Sequence, residues 1–319
     1  MILNVVITIL ISSPALRTAM AAVLSVTMLA GCTSDEGDGT TGLALVVTTS
    51  IWADVVGQIA GEDATVQVLI PRGSDPHDYV PSAGQVAEMS RADLVVANGL
   101  GLEEGFGDVL DAARGDGVPV LELAPGLDPL PFADHEEGED EGHGDDDPHV
   151  WFDPDRVARA ADAIAARLVE IEPDVDWQSR ADSYRLELEQ LSEEIDDLIA
   201  AIPEESRKLV TNHDMLGYFA DRFGMEVVGV VIPGGSTMGE PSSAELAELV
   251  RVIESEGVEA IFAETTNPSA LAEAVAAESG AEIEVVELFT GTLGDEGSGA
   301  ETLVDMLRTD ARLIADALT

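Results

Sequence analysis

The sequence predicts an α/β protein of two lobes with parallel sheets, joined by one long helix. Two observations carry that class. Short β-branched runs alternate with amphipathic stretches in two separate series, the pattern of strand–helix units whose parallel sheets are covered on both faces. Between the series lies a single apolar stripe at helical spacing, longer than one lobe needs.

In the first series, residues 43–49 form a β-branched run closed by Ser50, which reads as a buried strand. An amphipathic helix at 51–60, a strand at 65–70, a helix at 82–90 and a strand at 93–97 follow. Ser82 with Gln85 makes a capping box for the second helix. A helix near 106–113 and a strand at 118–121 complete the lobe. Residues 134–147 are acidic and Gly-rich, too polar to bury themselves, and disorder is expected there. Asp153-Pro154 then opens a helix as N-cap and first-turn proline.

The stripe occupies positions 177, 184, 188, 191, 195, 198, 199 and 202. At 1.5 Å per residue this helix would be roughly 40 Å long. Pro203 ends it. The second series runs strand 208–211, helix 215–223, strand 227–231 and helix 242–255, the last with a Ser242/Glu245 capping box. It continues through 260–263, 268–279, 283–288 and 301–318. The cleft between two such lobes is the default ligand site.

Ahead of the lobes, Leu29-Ala30-Gly31-Cys32 is a small-residue processing site ending in the chain's one cysteine. The apolar run 19–29 after Arg17 has the regions of a bacterial export signal, and the pattern resembles the lipobox of bacterial lipoproteins. That resemblance implies lipidation of Cys32, and two acyl chains on one thiol give a stable anchor. Residues 1–11 are also apolar, but Asn4, Ser12, Ser13, Pro14 and Arg17 divide the region. Neither piece reaches the ~20 apolar residues of a membrane span. Because Arg17 lies so late, the working signal is expected to begin near it. With one cysteine there is no internal disulfide, even where export would permit one. The expected organisation is signal peptide 1–31, lipidated tether 32–42, N-terminal lobe 43–173 with its acidic loop 134–147, linking helix 174–203 and C-terminal lobe 204–319.

The chain carries 63 acidic against 15 basic residues, a net charge of −48. A phosphate backbone requires clustered Lys and Arg, so nucleic acid is excluded as a partner. Acidity raises the local cation concentration, yet adaptation to high salt gives the same composition. Lys208 is the one lysine in the chain, which favours the salt explanation.

The histidines are informative by position. His77 follows a predicted strand and its loop, His149 ends the acidic loop, and His213 lies just past a strand end, while His135 and His143 lie within the acidic loop. Strand carboxyl ends are where open α/β sheets put their ligands. The three contexts are Asp75-Pro76-His77-Asp78-Tyr79-Val80-Pro81, Asp147-Pro148-His149-Val150-Trp151-Phe152-Asp153-Pro154, and Thr211-Asn212-His213-Asp214 leading to Gly217-Tyr218-Phe219.

In that order around a long helix, these segments resemble the metal-binding solute-binding proteins of ABC transporters, the zinc and manganese cluster. The resemblance covers essentially the whole mature chain. It implies that His77, His149 and His213 ligate a divalent metal in the interlobe cleft. Three imidazole nitrogens suit Zn2+, and Mn2+ is the alternative, since carboxylate-rich sites favour manganese and manganese members typically carry a glutamate at the His213 position. Asp78 and Asp214, each next to a ligand, are candidates to orient the rings.

One departure stands out. The family usually supplies an aspartate in an Asp-Ser-Leu-like segment, where this chain reads Gly291-Thr292-Leu293-Gly294. Asp295, Glu296, Glu264 or water is left for a fourth position. The loop with His135 and His143 resembles the charged loop of zinc-specific members, which would collect zinc, though a solvated acidic insertion reads the same way.

The implied function is capture of the metal outside the cytoplasm and delivery to an ABC importer. Its partner would be a membrane permease driven by a separate ATPase, since this chain has no phosphate loop. The chain is expected to act as a monomer, lipid-anchored at the outer face of the cytoplasmic membrane. Metal is expected to meet His77 and His149 first and His213 second, with the long helix limiting hinge bending. Binding should weaken as pH falls through the imidazole range. A surface adhesin is the interaction-protein alternative. A zinc hydrolase would need a general base, and neither a His-Glu-x-x-His helix nor a motif-placed carboxylate supplies one.

Overall fold

The computed structural model describes residues 42–132 and 146–319. The expected signal peptide, Cys32, the tether up to residue 41, and His135 and His143 lie outside the described residues.

The first lobe runs β1 (Leu43–Val47), α1 (Ser50–Ala60), β2 (Ala64–Val68), α2 (Ala83–Met89), β3 (Leu94–Ala97), α3 (Gly107–Gly115) and β4 (Val120–Glu122). Its four strands are parallel, in the order β2-β1-β3-β4, with Leu45 of β1 opposite Val66 on one side and Leu94 on the other. Two helices follow, α4 (Pro154–Ile171) and α5 (Trp177–Ala200). The second lobe then runs β5 (Lys208–Thr211), α6 (Gly217–Phe223), β6 (Glu226–Val230), α7 (Ser243–Glu256), β7 (Ala260–Glu264), α8 (Ala270–Glu278), β8 (Glu284–Leu288) and α9 (Leu303–Ala317). Its parallel sheet has the order β6-β5-β7-β8. Each lobe therefore places its second, first, third and fourth strands side by side. In such a sheet the chain leaves the first strand in opposite directions, and the crevice beyond that switch point accepts ligands.

The sequence patterns have direct physical counterparts. Both central strands β3 and β7 are buried along their whole length, which is why they read as unbroken apolar runs. Both capping boxes form, Ser82 with Gln85 and Ser242 with Glu245. The Asp153 side chain accepts the Asp155 N–H and Pro154 occupies the first turn of α4. β2 ends at Val68, short of the expected 70, but the N–H groups of Leu69 and Ile70 still bond to Val47 and Thr48, so the ladder continues through a turn. α6 starts at Gly217 rather than 215, because Met215 and Leu216 are buried within the turn that follows β5.

The stripe on α5 is buried as Trp177, Tyr184, Leu188, Leu191, Ile195 and Ile199, and Ile202 is buried just beyond the helix. Each such side chain contributes about 1.5–3 kcal/mol when fully removed from water. The helix serves both lobes. Arg180 donates to the carbonyls of Ile59 and Ala60 at the end of α1, and Arg308 of α9 reaches Glu194 at 2.7 Å. One apolar cluster runs from Leu45 and Trp52 in the first lobe through α4 and α5 to Phe262 and Ile314 in the second. Among the described residues no helix is long and apolar enough to cross a membrane.

Candidate metal centre

The two switch points face each other and deliver the three predicted histidines to one place. His77 sits in the loop between β2 and α2, His149 precedes a short turn at Val150–Phe152 ahead of α4, and His213 lies two residues past β5. All three are buried, with exposures of 5%, 2% and 1%. Nε2 of His149 lies 3.4 Å from Nε2 of His77 and 3.2 Å from Nε2 of His213. Ligands about 2.0–2.1 Å from a tetrahedral zinc ion stand about 3.3 Å apart, so both separations from His149 match an edge of that polyhedron, and all three rings offer nitrogens within 4.8 Å of one another.

Their partners fix which nitrogen faces the centre. His149 Nδ1 lies 2.7 Å from Oδ1 of Asp147, and His213 Nδ1 lies 2.8 Å from Oε1 of Glu264. A carboxylate holds the proton on Nδ1 and leaves the Nε2 lone pair free to ligate. Glu264 is itself fully engaged. Asn212 Nδ2 donates to Oε1 at 2.8 Å and the Thr290 hydroxyl to Oε2 at 2.9 Å. Trp151 Nε1 donates to the Thr290 carbonyl, tying the first lobe to this network. Tyr218 donates its hydroxyl to the Asp147 carbonyl and accepts from the Leu130 N–H.

Burial divides the charges unequally. Desolvation and the neighbouring His213 and His149 lower His77 to about 3, and desolvation with His213 holds His149 well below its ordinary value. Desolvation also opposes a charge on His213, but Glu264 outweighs it and the pKa is raised. Glu264 is resisted by burial as well. The charge of His213 and the hydrogen bonds from His213, Asn212 and Thr290 nonetheless bring it down to about 2. Desolvation pushes Asp147 up to about 7 against the pull of the His149 N–H. Glu264 thus favours a proton on His213, while burial disfavours one on His77 and His149.

The carboxylates that orient the rings differ from those expected by adjacency. Asp78 is exposed, and Asp214, buried beside His213, leaves the Nδ1 position to Glu264. For Asp147 a signal was present in the sequence: Asp-Pro-His occurs twice, at 75–77 and 147–149. In both copies the aspartate Oδ1 accepts the backbone N–H of the histidine, at 2.9 and 2.8 Å. Among the described residues, the group of metal-capable side chains around this point contains the three histidines alone. Asp295 and Glu296 are exposed outside it, and Glu264 spends both oxygens on its partners. Gly291 lies against the Pro76 ring, where a Cβ would come 2.8 Å from Pro76 Cδ.

A buried cluster of three imidazoles between two parallel-sheet lobes is the arrangement of a metal-binding protein of the solute-binding class. Residues 45–317 match the family described as ZnuA, zinc-uptake complex component A, periplasmic, and the chain belongs to that family, whose members are the metal-binding components of ABC import systems. Similar proteins include the manganese-binding lipoprotein MntA of Halalkalibacterium halodurans, 33% identical over 91% of this chain and 94% of that protein. The zinc-binding protein TroA of Treponema pallidum is 35% identical over 93% of this chain and 97% of its own length. The solved structure of the periplasmic zinc-binding protein TroA from Treponema pallidum superposes with a TM-score of 0.79 at 32% identity, covering 87% of this chain and 99% of that one.

Proposed function

We propose that the chain captures Zn2+ with His77, His149 and His213 and hands it to an ABC permease. The observation that carries this reading is the convergence of three Nε2 atoms, two of them set by carboxylates on the far side of the ring. A set of nitrogen donors with the nearby carboxylates engaged elsewhere favours zinc over manganese. Zinc is cargo here, and the fourth position falls to water. The proposed anchor is a diacylglyceryl group on Cys32, holding a monomer at the outer face of the cytoplasmic membrane. We read the site as binding rather than catalytic, because its carboxylates orient imidazoles and the rings are buried.

The test is competitive titration of the tag-free mature protein with zinc and manganese beside a His77/His149/His213 triple alanine variant. Tight zinc binding lost in the variant supports the reading. Zinc binding that survives in the variant sinks it, and a clear preference for manganese keeps the site but overturns the metal.

A further inference from the structure

The three histidines are not held alike, although two of them begin from the same tripeptide. Asp147 grips His149 twice, accepting its backbone N–H and facing its Nδ1. His213 is oriented by Glu264 of its own lobe. At His77 the backbone contact to Asp75 is repeated, but its Nδ1 lies 3.9 Å from the carboxylate facing it, Oε1 of Glu104, beyond hydrogen-bond distance.

Both carboxylates around His77 are instead engaged from the opposite lobe. Oδ2 of Asp75 accepts the Thr237 hydroxyl at 2.6 Å and the Asn267 amide at 3.0 Å. Oε1 of Glu104 accepts the Ser236 hydroxyl at 2.6 Å. Ser236 and Thr237 belong to the segment between β6 and α7, which crosses to the first lobe here. Gly234 turns it with φ +92°, and the Phe132 ring lies so close over Gly235 that a side chain there would collide with it.

We propose that residues 233–237 act as a strap that positions His77 from across the cleft, with Thr237 holding Asp75 and Ser236 holding Glu104. The inference rests on the reading of the three histidines as ligands and adds a positioning role that none of them has. His77 then becomes the ligand whose engagement depends on lobe approach, rather than His213 as the sequence had led us to expect. Metal leaves when the strap lets go, because opening it frees both the backbone turn and the carboxylate that flank the His77 ring.

The experiment is stopped-flow release of zinc to a chromophoric chelator, with Co2+ absorption spectra as a check on the ligand set. A hydrogen bond to a charged acceptor is lost in Thr237→Val, and release should quicken about tenfold. Thr237→Ser, which keeps the donor, should restore the wild-type rate. The Co2+ bands should be preserved in every variant, because no ligand has changed. The proposal is overturned if a Ser236→Ala/Thr237→Val double variant releases zinc within about twofold of wild type, a difference smaller than one weak hydrogen bond produces. It is equally overturned if Thr237→Ser is as fast as Thr237→Val, since packing alone would then explain the effect. Zinc binding by the triple histidine variant would remove the ligand assignment and this inference with it, a result distinct from both.

Discussion

At neutral pH the two carboxylates facing the histidine rings are in different states. Glu264 is brought down to about 2 and its charge raises His213, while burial pushes Asp147 up to about 7. A cation entering the site competes with protons at His213 before the other rings, since His77 is lowered to about 3. The sign follows directly. Because the His213 pKa is raised above 6.5, the apparent zinc affinity should climb with pH up to that raised value and level off above it. His77 and His149 add nothing in that window, which narrows the expected dependence on the imidazole range to one ring. Competition titrations across pH check this. Replacing Glu264 by Gln removes the anion that raises His213, so the inflection should move to lower pH while affinity at the plateau falls about 10- to 100-fold. The convergence of the three histidines was legible because each sits in a short motif. Their orienting partners were only half legible. Asp147 lies two residues from its histidine, but Glu264 lies 51 residues from His213 and meets it only because β7 pairs with β5.

The elements were read from periodicity, and they hold wherever burial dictates the pattern. The stripe on α5 emerged intact since a helix packed on α4, α1 and α9 must present one apolar face. Boundaries slipped by one to three residues where tertiary contacts extend or shorten an element, as at Leu69 and Ile70, whose N–H groups still bond to the sheet. The strap was not legible at all. Its contacts join residues 132 and 162 positions apart, and neither Ser236 nor Thr237 stands in a local pattern that announces a partner. The load on α5 can be measured. Leu191 is completely buried, and Leu191→Ala should cost about 2–5 kcal/mol of unfolding free energy in urea. Zinc affinity of the folded variant should stay at the wild-type level, because the ligand loops hang from the strand ends rather than from this helix.

For the whole molecule, the charge and the continuous core act in opposite directions. A net charge of −48 over 319 residues repels itself in the compact state, and the 15 basic residues are too few to neutralise it by pairing. Lys208, bonded to Glu256 at 2.8 Å, is a local contact on an otherwise acidic surface. Much of the folded state's resistance to this repulsion comes from the apolar cluster that spans α4, α5 and both lobes. Two consequences can be read in one experiment. Because the cluster is continuous, the lobes should unfold together in a single thermal transition. Because the opposing term is electrostatic, the midpoint should rise with added NaCl as the screening length shrinks from ~30 Å at 0.01 M to ~8 Å at 0.15 M. Sucrose at matched osmolality separates screening from solvent exclusion, which stabilises regardless of charge. A midpoint that rises with sucrose but not with salt would show that the acidic residues are spaced widely enough to leave folding untouched.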